Sequence, residues 1–283
     1  LPSEDRLLFE KLGEIGERIT GYPMISIYHD LTPRFQHPRG GVLLDFLYRE
    51  WGIITFSTEL WDMPGRAGVK GRHFGNWLFE RTEEDEAKII AWIAENYPEG
   101  WVDWHPVDHP QLGRVEVGGI VNKFTFQNPP PGKGFLLDEC QRNTEFNLIQ
   151  AAALPRLAFR DVQVDHVEGN VYRVSAVVQN EGWLPTYISR QGLNKGIPAP
   201  TIEIATENAR LLDPAKKKID LGHLDGHSAE RSAFTGFRRG LPQQERLVRW
   251  LVQAEAGQQA SVTLTARSQR AGTVVQQVPL TTA

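Results

Sequence analysis

The spacing of apolar and polar side chains changes its period partway along the chain. Leu7, Leu8, Leu12, Ile15 and Ile19 recur at helical spacing and predict an amphipathic helix. Ser3 can cap that helix, and Glu4 and Asp5 fall in its first turn, where acidic groups suit the helix dipole. Residues 42–51 predict a short amphipathic helix and residues 146–154 another. Residues 83–97 give the clearest helix, capped by Thr82, with Ile89, Ile90, Trp92 and Ile93 on its core side. Residues 24–28 and 53–60 read as strands, the second too apolar for a half-exposed position and therefore buried in a sheet. Pro33, Pro38, Gly40, Gly41, the Gly118-Gly119 pair and prolines 129–131 mark loops.

After Pro155 the period shortens to two. Residues 159–167, 171–178, 201–205, 261–266 and 273–278 alternate apolar and polar side chains, with Gly169-Asn170 placed as a tight hairpin turn. Residues 247–252 fit strand or helix. Short strands and frequent turn residues predict a β-sandwich. The expected fold class is therefore α/β for residues 1–156 followed by an all-β sandwich at 157–283, joined at Leu154-Pro155-Arg156.

Composition supports that division. Residues 1–156 hold 16 basic and 23 acidic side chains, whereas residues 157–283 hold 15 and 12; six of the eight tryptophans lie in the first part. The net charge of −4 over 283 residues gives no polyphosphate-binding signature, which sets nucleic acid aside as a partner. No apolar run reaches the ~20 residues that cross a bilayer. A single cysteine, Cys140, forms no internal disulfide and no thiolate zinc site, and it suits cytoplasm or periplasm alike. The first residue is Leu1, and no basic segment followed by an apolar one comes after it; the expectation is a chain cut from a longer one.

Candidate chemistry is sparse. No HExxH, G-x-S-x-G, P-loop or G-x-G-x-x-G occurs. His227 and Glu230 form an H-x-x-E pair, but two ligands do not hold a catalytic zinc, and the plain reading is a loop at the rim of the sandwich. His105 and His109, with Asp103 and Asp108, could cluster round a metal; Pro106 and Pro110 favour a stiff irregular loop instead. Lys216-Lys217-Lys218 reads as a solvated turn. Glu59 stands apart, since a carboxylate ending an apolar run is not a comfortable core residue. Two readings stay open: an ion pair, with Arg66 as the partner, or a general base tuned by its apolar surroundings.

Residues 54–68, ITFSTELWDMPGRAG, resemble the segment that ends the catalytic domain in zinc carboxypeptidases of the carboxypeptidase A type. There a strand carries the catalytic glutamate in a Thr-x-Glu-Leu context, followed by Asp and Arg-x-Gly. Ser57-Thr58-Glu59-Leu60, Asp62 and Arg66-Ala67-Gly68 fit, with one extra residue before the arginine. Upstream, Ile27-Tyr28, Gly40-Gly41 and Asp45 match in order, with a longer loop between Asp30 and Arg39. Residues 109–119 and Asn128-Pro129-Pro130 resemble a bacterial branch of the family, and residues 180–186, NEGWLPT, resemble the β-domain that follows there.

The resemblance implies a C-terminal portion of a carboxypeptidase-like mixed-sheet domain, a peptide substrate and a zinc cofactor. It implies Glu59 as the general base and acid, Tyr28 as the tyrosine that closes over substrate, and Leu44 as the floor of the specificity pocket. An apolar floor favours an apolar C-terminal side chain over Lys or Arg, which would be desolvated without a partner. The family's zinc ligands and carboxylate-clamping groups precede the tyrosine, and no histidine precedes His29 here. They are therefore expected on an N-terminal part of the same domain outside this sequence, which leaves this fragment inactive by itself. The competing function is a non-catalytic binding protein whose β-sandwich recognises peptide or glycan.

Overall fold

A computed structural model describes residues 1–27, 30, 41–70, 81–121, 128–229 and 243–281. In chain order these form helix α1 (Ser3–Thr20), α2 (Leu43–Trp51), α3 (Met63–Arg66), α4 (Glu83–Asn96), strands β1 (Trp101–His109) and β2 (Gly113–Ile120), and α5 (Phe135–Ala152). There follow β3 (Leu157–Glu168), β4 (Val171–Asn180), α6 (Arg190–Asn194), β5 (Thr201–Glu207), β6 (Ala209–Leu211), β7 (Lys218–Asp220), β8 (Glu245–Ala254), β9 (Ser261–Ser268) and β10 (Gly272–Pro279). The chain divides into two units. The first is Leu1–Leu12, Gly41–Phe56 and Leu148–Ala283; the second is Gly13–Gly40 and Ser57–Asn147.

The first unit is built on a β-sandwich of two four-stranded antiparallel sheets, ordered β10-β9-β5-β7 and β3-β4-β8-β6. Alternate positions turn inward, as a pleated strand requires. Val174, Ala176 and Val178 of β4, Val248, Trp250 and Val252 of β8, Ile202 and Ile204 of β5, and Val262, Leu264 and Ala266 of β9 make one buried core. Each large aliphatic side chain buried this way contributes about 1.5–3 kcal/mol. Trp250 keeps its indole N–H satisfied by donating to the Lys216 carbonyl at 2.9 Å. The five strands expected from alternation are present, the ambiguous run 247–252 is part of β8, and Gly169 turns the β3–β4 hairpin at φ 57°.

A second cluster in the same unit joins Leu8, Leu12, Ala153, Leu184 and Ile188, with Ile54, Phe56 and Trp183 partly buried against it. Asp5 lies in the first turn of α1, as expected, and is fully buried. Its carboxylate accepts from the Tyr48 hydroxyl at 2.6 Å and from the backbone N–H of Arg190 and Gln191, the unsatisfied donors that open α6. Burial, then the hydrogen bond to Asp5, pushes the Tyr48 phenol well above its ordinary range. Ser189 caps α6 by accepting from Gly192 N–H, and it donates to the Gly52 carbonyl at 2.6 Å. Glycine is required at 52: φ is 63°, and a Cβ there would lie 2.2 Å from the Gly192 backbone.

In the second unit α4 carries the expected Thr82 cap, which Asp85 completes as a capping box. Ile89 and Ile93 are buried with Trp61, Met63 and Val69, while Ile90, expected in the core, is 41% exposed. The strand expected at 53–60 is extended chain with no ladder partner among the described residues; Ile54 and Phe56, which belong to the first unit, pack against its second cluster. Residues 24–26 form no strand either, and the Ser26 carbonyl accepts from Asp30 N–H. The loop expected round His105 is strand β1, paired antiparallel with β2. Pro106 fits because a two-stranded ribbon has only edge strands. The Gly118-Gly119 loop is likewise inside β2, where a Cβ on Gly118 would lie 2.7 Å from Trp104 Cα. Among the described residues, the ribbon is the only sheet of this unit, and no helix is long and apolar enough to cross a membrane.

Candidate functional site

Glu59 is exposed and lies in the extended stretch that leads into α3. The apolar surroundings expected for its carboxylate are not found among the described residues. Arg66, the ion-pair partner considered from sequence, is committed elsewhere: its guanidinium donates to Asp138 Oδ2 at 3.1 Å and Glu139 Oε1 at 2.7 Å. Burial works to lower the Arg66 pKa, but the hydrogen bonds to Glu139 and Asp138 outweigh it and hold the group above its ordinary value. Asp62 accepts from Gly65 N–H and caps α3, with Pro64 inside the first turn.

Beside Glu59, the chain is anchored at Trp61. Its ring is buried against Phe135 and Trp92, with the Arg66 guanidinium 4.9 Å from the ring centre. Tyr22 Oη accepts from Trp61 N–H at 2.8 Å and donates to Glu139 Oε2 at 2.6 Å. Glu139 is 2% exposed, and its other oxygen also accepts from Arg142 at 2.6 Å. Burial, reinforced by the hydrogen bond to Glu139, lifts the Tyr22 phenol far above its ordinary value. Two arginines facing one buried carboxylate supply the pairing that such a charge needs. Sequence reading missed Tyr22, Glu139 and Arg142. Only the Asp138–Arg142 spacing of four residues on a helix was available as a signal.

The other sequence candidates fall out as follows. Leu44 is half-buried on α2 in the first unit, whereas Glu59 belongs to the second; Tyr28 lies outside the described residues. His105 Nδ1 is 2.9 Å from the Asp103 carbonyl, and His109 Nδ1 accepts from the N–H groups of Gln111 and Leu112. Both imidazoles are thus engaged with backbone near them in sequence. His227 is in a turn, and Glu230 lies outside the described residues. Among the described residues, no group of three or more His, Cys, Asp or Glu could hold a metal ion. These side chains do not fit a zinc site.

The NEGWLPT stretch has a structural role in the first unit. Thr186, fully buried, accepts from Leu224 N–H at 3.0 Å and lies 3.3 Å from His223 Nδ1. The Tyr187 ring stands edge-on to His223 at 5.4 Å, and burial, then the charge of Asp225, pushes its phenol up to about 12. Burial lowers the His223 pKa, so the folded chain favours neutral imidazole. Below the ordinary value of about 6.5, the unfolded chain binds more protons than the folded one. Stability is therefore expected in full above that pH and lost as pH falls toward the lowered folded value. Melting temperatures from pH 7.5 to 5 should fall, and fall less in His223→Gln; equal slopes would reject the assignment.

A family model described as a domain of unknown function (DUF8731) matches residues 156–279, less than half of the chain and nearly the span of the sandwich. No curated protein matches the sequence. Among solved structures, the chain is similar to the crystal structure of the GAE domain of GGA2p from Saccharomyces cerevisiae. That likeness has 10% identity, covers 46% of this chain and 90% of that one, and has a TM-score of 0.26.

Proposed function

We propose that residues 1–156 are the C-terminal portion of a zinc-dependent carboxypeptidase domain of mixed-sheet type, followed by an accessory β-sandwich. The natural reaction is hydrolysis of the C-terminal peptide bond of a peptide. The observation that carries this reading is the ordered run Ser57-Thr58-Glu59-Leu60, Asp62 and Arg66-Ala67-Gly68, in which Glu59 is exposed and Arg66 is occupied by Asp138 and Glu139. An accessible carboxylate free of that arginine suits proton transfer. Glu59 takes a proton from water as the water oxygen bonds to the scissile carbonyl carbon. The proton then passes to the departing amine as the C–N bond breaks. The resemblance assigns closure over the substrate to Tyr28 and the choice of the last side chain to Leu44. The described residues do not fit a zinc site; the resemblance assigns the ligands to an N-terminal part of the domain.

The test is to incubate the zinc-loaded full-length protein with peptides ending in Phe, Leu, Lys or Arg and to follow release of the last residue by mass spectrometry. Removal of one apolar C-terminal residue, with Lys and Arg disfavoured by about 10-fold or more, is expected from an apolar floor. Binding without cleavage, or cleavage at internal bonds only, would overturn the reading.

A further inference from the structure

We infer that Tyr22 is a positioning residue for Glu59, an inference that rests on the reading of Glu59 as general base. Trp61, two residues after Glu59, has φ 72°, a left-handed conformation that bulky residues rarely adopt. Something must over-determine it. The ring is held between Trp92, Phe135 and Arg66, but ring packing leaves the backbone amide unfixed.

The amide is fixed by Tyr22. The phenol accepts from Trp61 N–H and spends its own proton on Glu139, so each bond sets the direction of the other. Glu139 cannot turn away, because both arginines hold its second oxygen. Tyr22 is itself tied to the end of α1: its N–H donates to Thr20 Oγ1 at 3.1 Å, and Arg142 donates to the Thr20 carbonyl. Every link in this chain lies within the second unit. The direction in which residues 59–60 leave Trp61 is therefore set by a relay running from α5 through Tyr22. Glu59 needs that direction, since a catalytic base misplaced by about 1 Å can lose about 100-fold in rate.

Tyr22→Phe keeps the ring and removes both bonds. Tyr22→Gln loses the ring but offers an acceptor for Trp61 and a donor for Glu139. In the full-length enzyme Tyr22→Phe is expected to lower kcat by roughly 10- to 100-fold with KM within about twofold. It should also speed deuterium exchange at residues 59–62. Tyr22→Gln should regain about fivefold in kcat over Tyr22→Phe, whereas a purely packing role would make Gln the worse of the two. If Tyr22→Phe does not fold, Tyr22→Gln decides: kcat lowered by about 2- to 20-fold with faster exchange at residues 59–62 supports the relay, and kcat at the wild-type level or below that range overturns it. Wild-type kcat and exchange in Tyr22→Phe, with Glu59→Gln inactive, would sink the inference alone. An active Glu59→Gln enzyme would instead remove the reading on which it rests, and the positioning role with it.

Discussion

Glu59→Gln in the full-length protein is expected to lower kcat for release of a C-terminal residue by about 10²–10⁴-fold, the usual contribution of a general base. Gln has nearly the shape of Glu but no basic oxygen for the proton taken from water. The fold should not notice the change. Glu59 is exposed, and the arginine that could have made it structural is bound to Asp138 and Glu139. Exposed substitutions of this kind usually shift stability by less than about 0.5 kcal/mol. Rate and stability should therefore separate cleanly, with kcat lost, KM little changed and the melting temperature kept. Activity within about threefold of wild type would exclude Glu59 as the base. A large loss of melting temperature would mean that the carboxylate is structural after all.

How far the sequence could be read depends on how far apart the partners are. The strands of the sandwich were legible because alternation records burial directly: Val174, Ala176 and Val178 face the core, and their neighbours do not share that face. In β8 the same pattern is masked. Leu247 and Leu251 lie on the outer face, 46% and 44% exposed, so apolar side chains on both faces hide the alternation. An apolar run alone does not reveal whether a ladder forms, which is why 53–60 looked like a buried strand while Ile54 and Phe56 are extended chain packed on a cluster. Pro106 of β1 pointed to a loop because in a wide sheet it would break the ladder; in a two-stranded ribbon it does not. At the candidate site, the motif round Glu59 was legible and its support was not. Arg66 meets Glu139 from 73 positions away, and Tyr22 meets it from 117, with no local pattern to record either pairing. Asp5 repeats the point: its place in the first turn of α1 was legible, but its partners Tyr48, Arg190 and Gln191 were not.

The largest stability loss is expected from Asn180→Ala. Asn180 ends β4, is 2% exposed, and uses its whole amide. Its Oδ1 accepts from Arg156 N–H at 2.9 Å and Gly182 N–H at 3.0 Å; its Nδ2 donates to the Leu184 carbonyl at 2.8 Å and the Asp225 carbonyl at 3.2 Å. One side chain thus ties the start of β3, the turn after β4 and the loop before β8. Water could replace the partners of Arg156 and Asp225, which are partly open. The Gly182 and Leu184 groups are buried and would stay unpaired. At about 1–3 kcal/mol for each of the two buried groups left unsatisfied, the loss should be about 2–6 kcal/mol. The control is the neighbouring Glu181→Ala, which removes an exposed ion pair to Arg156. Exposed pairs contribute up to about 1 kcal/mol, so that variant should stay near wild type. Urea denaturation of both variants separates the two cases. Equal, small losses would show that the turn holds without the Asn180 amide and that the sandwich core alone fixes the chain there.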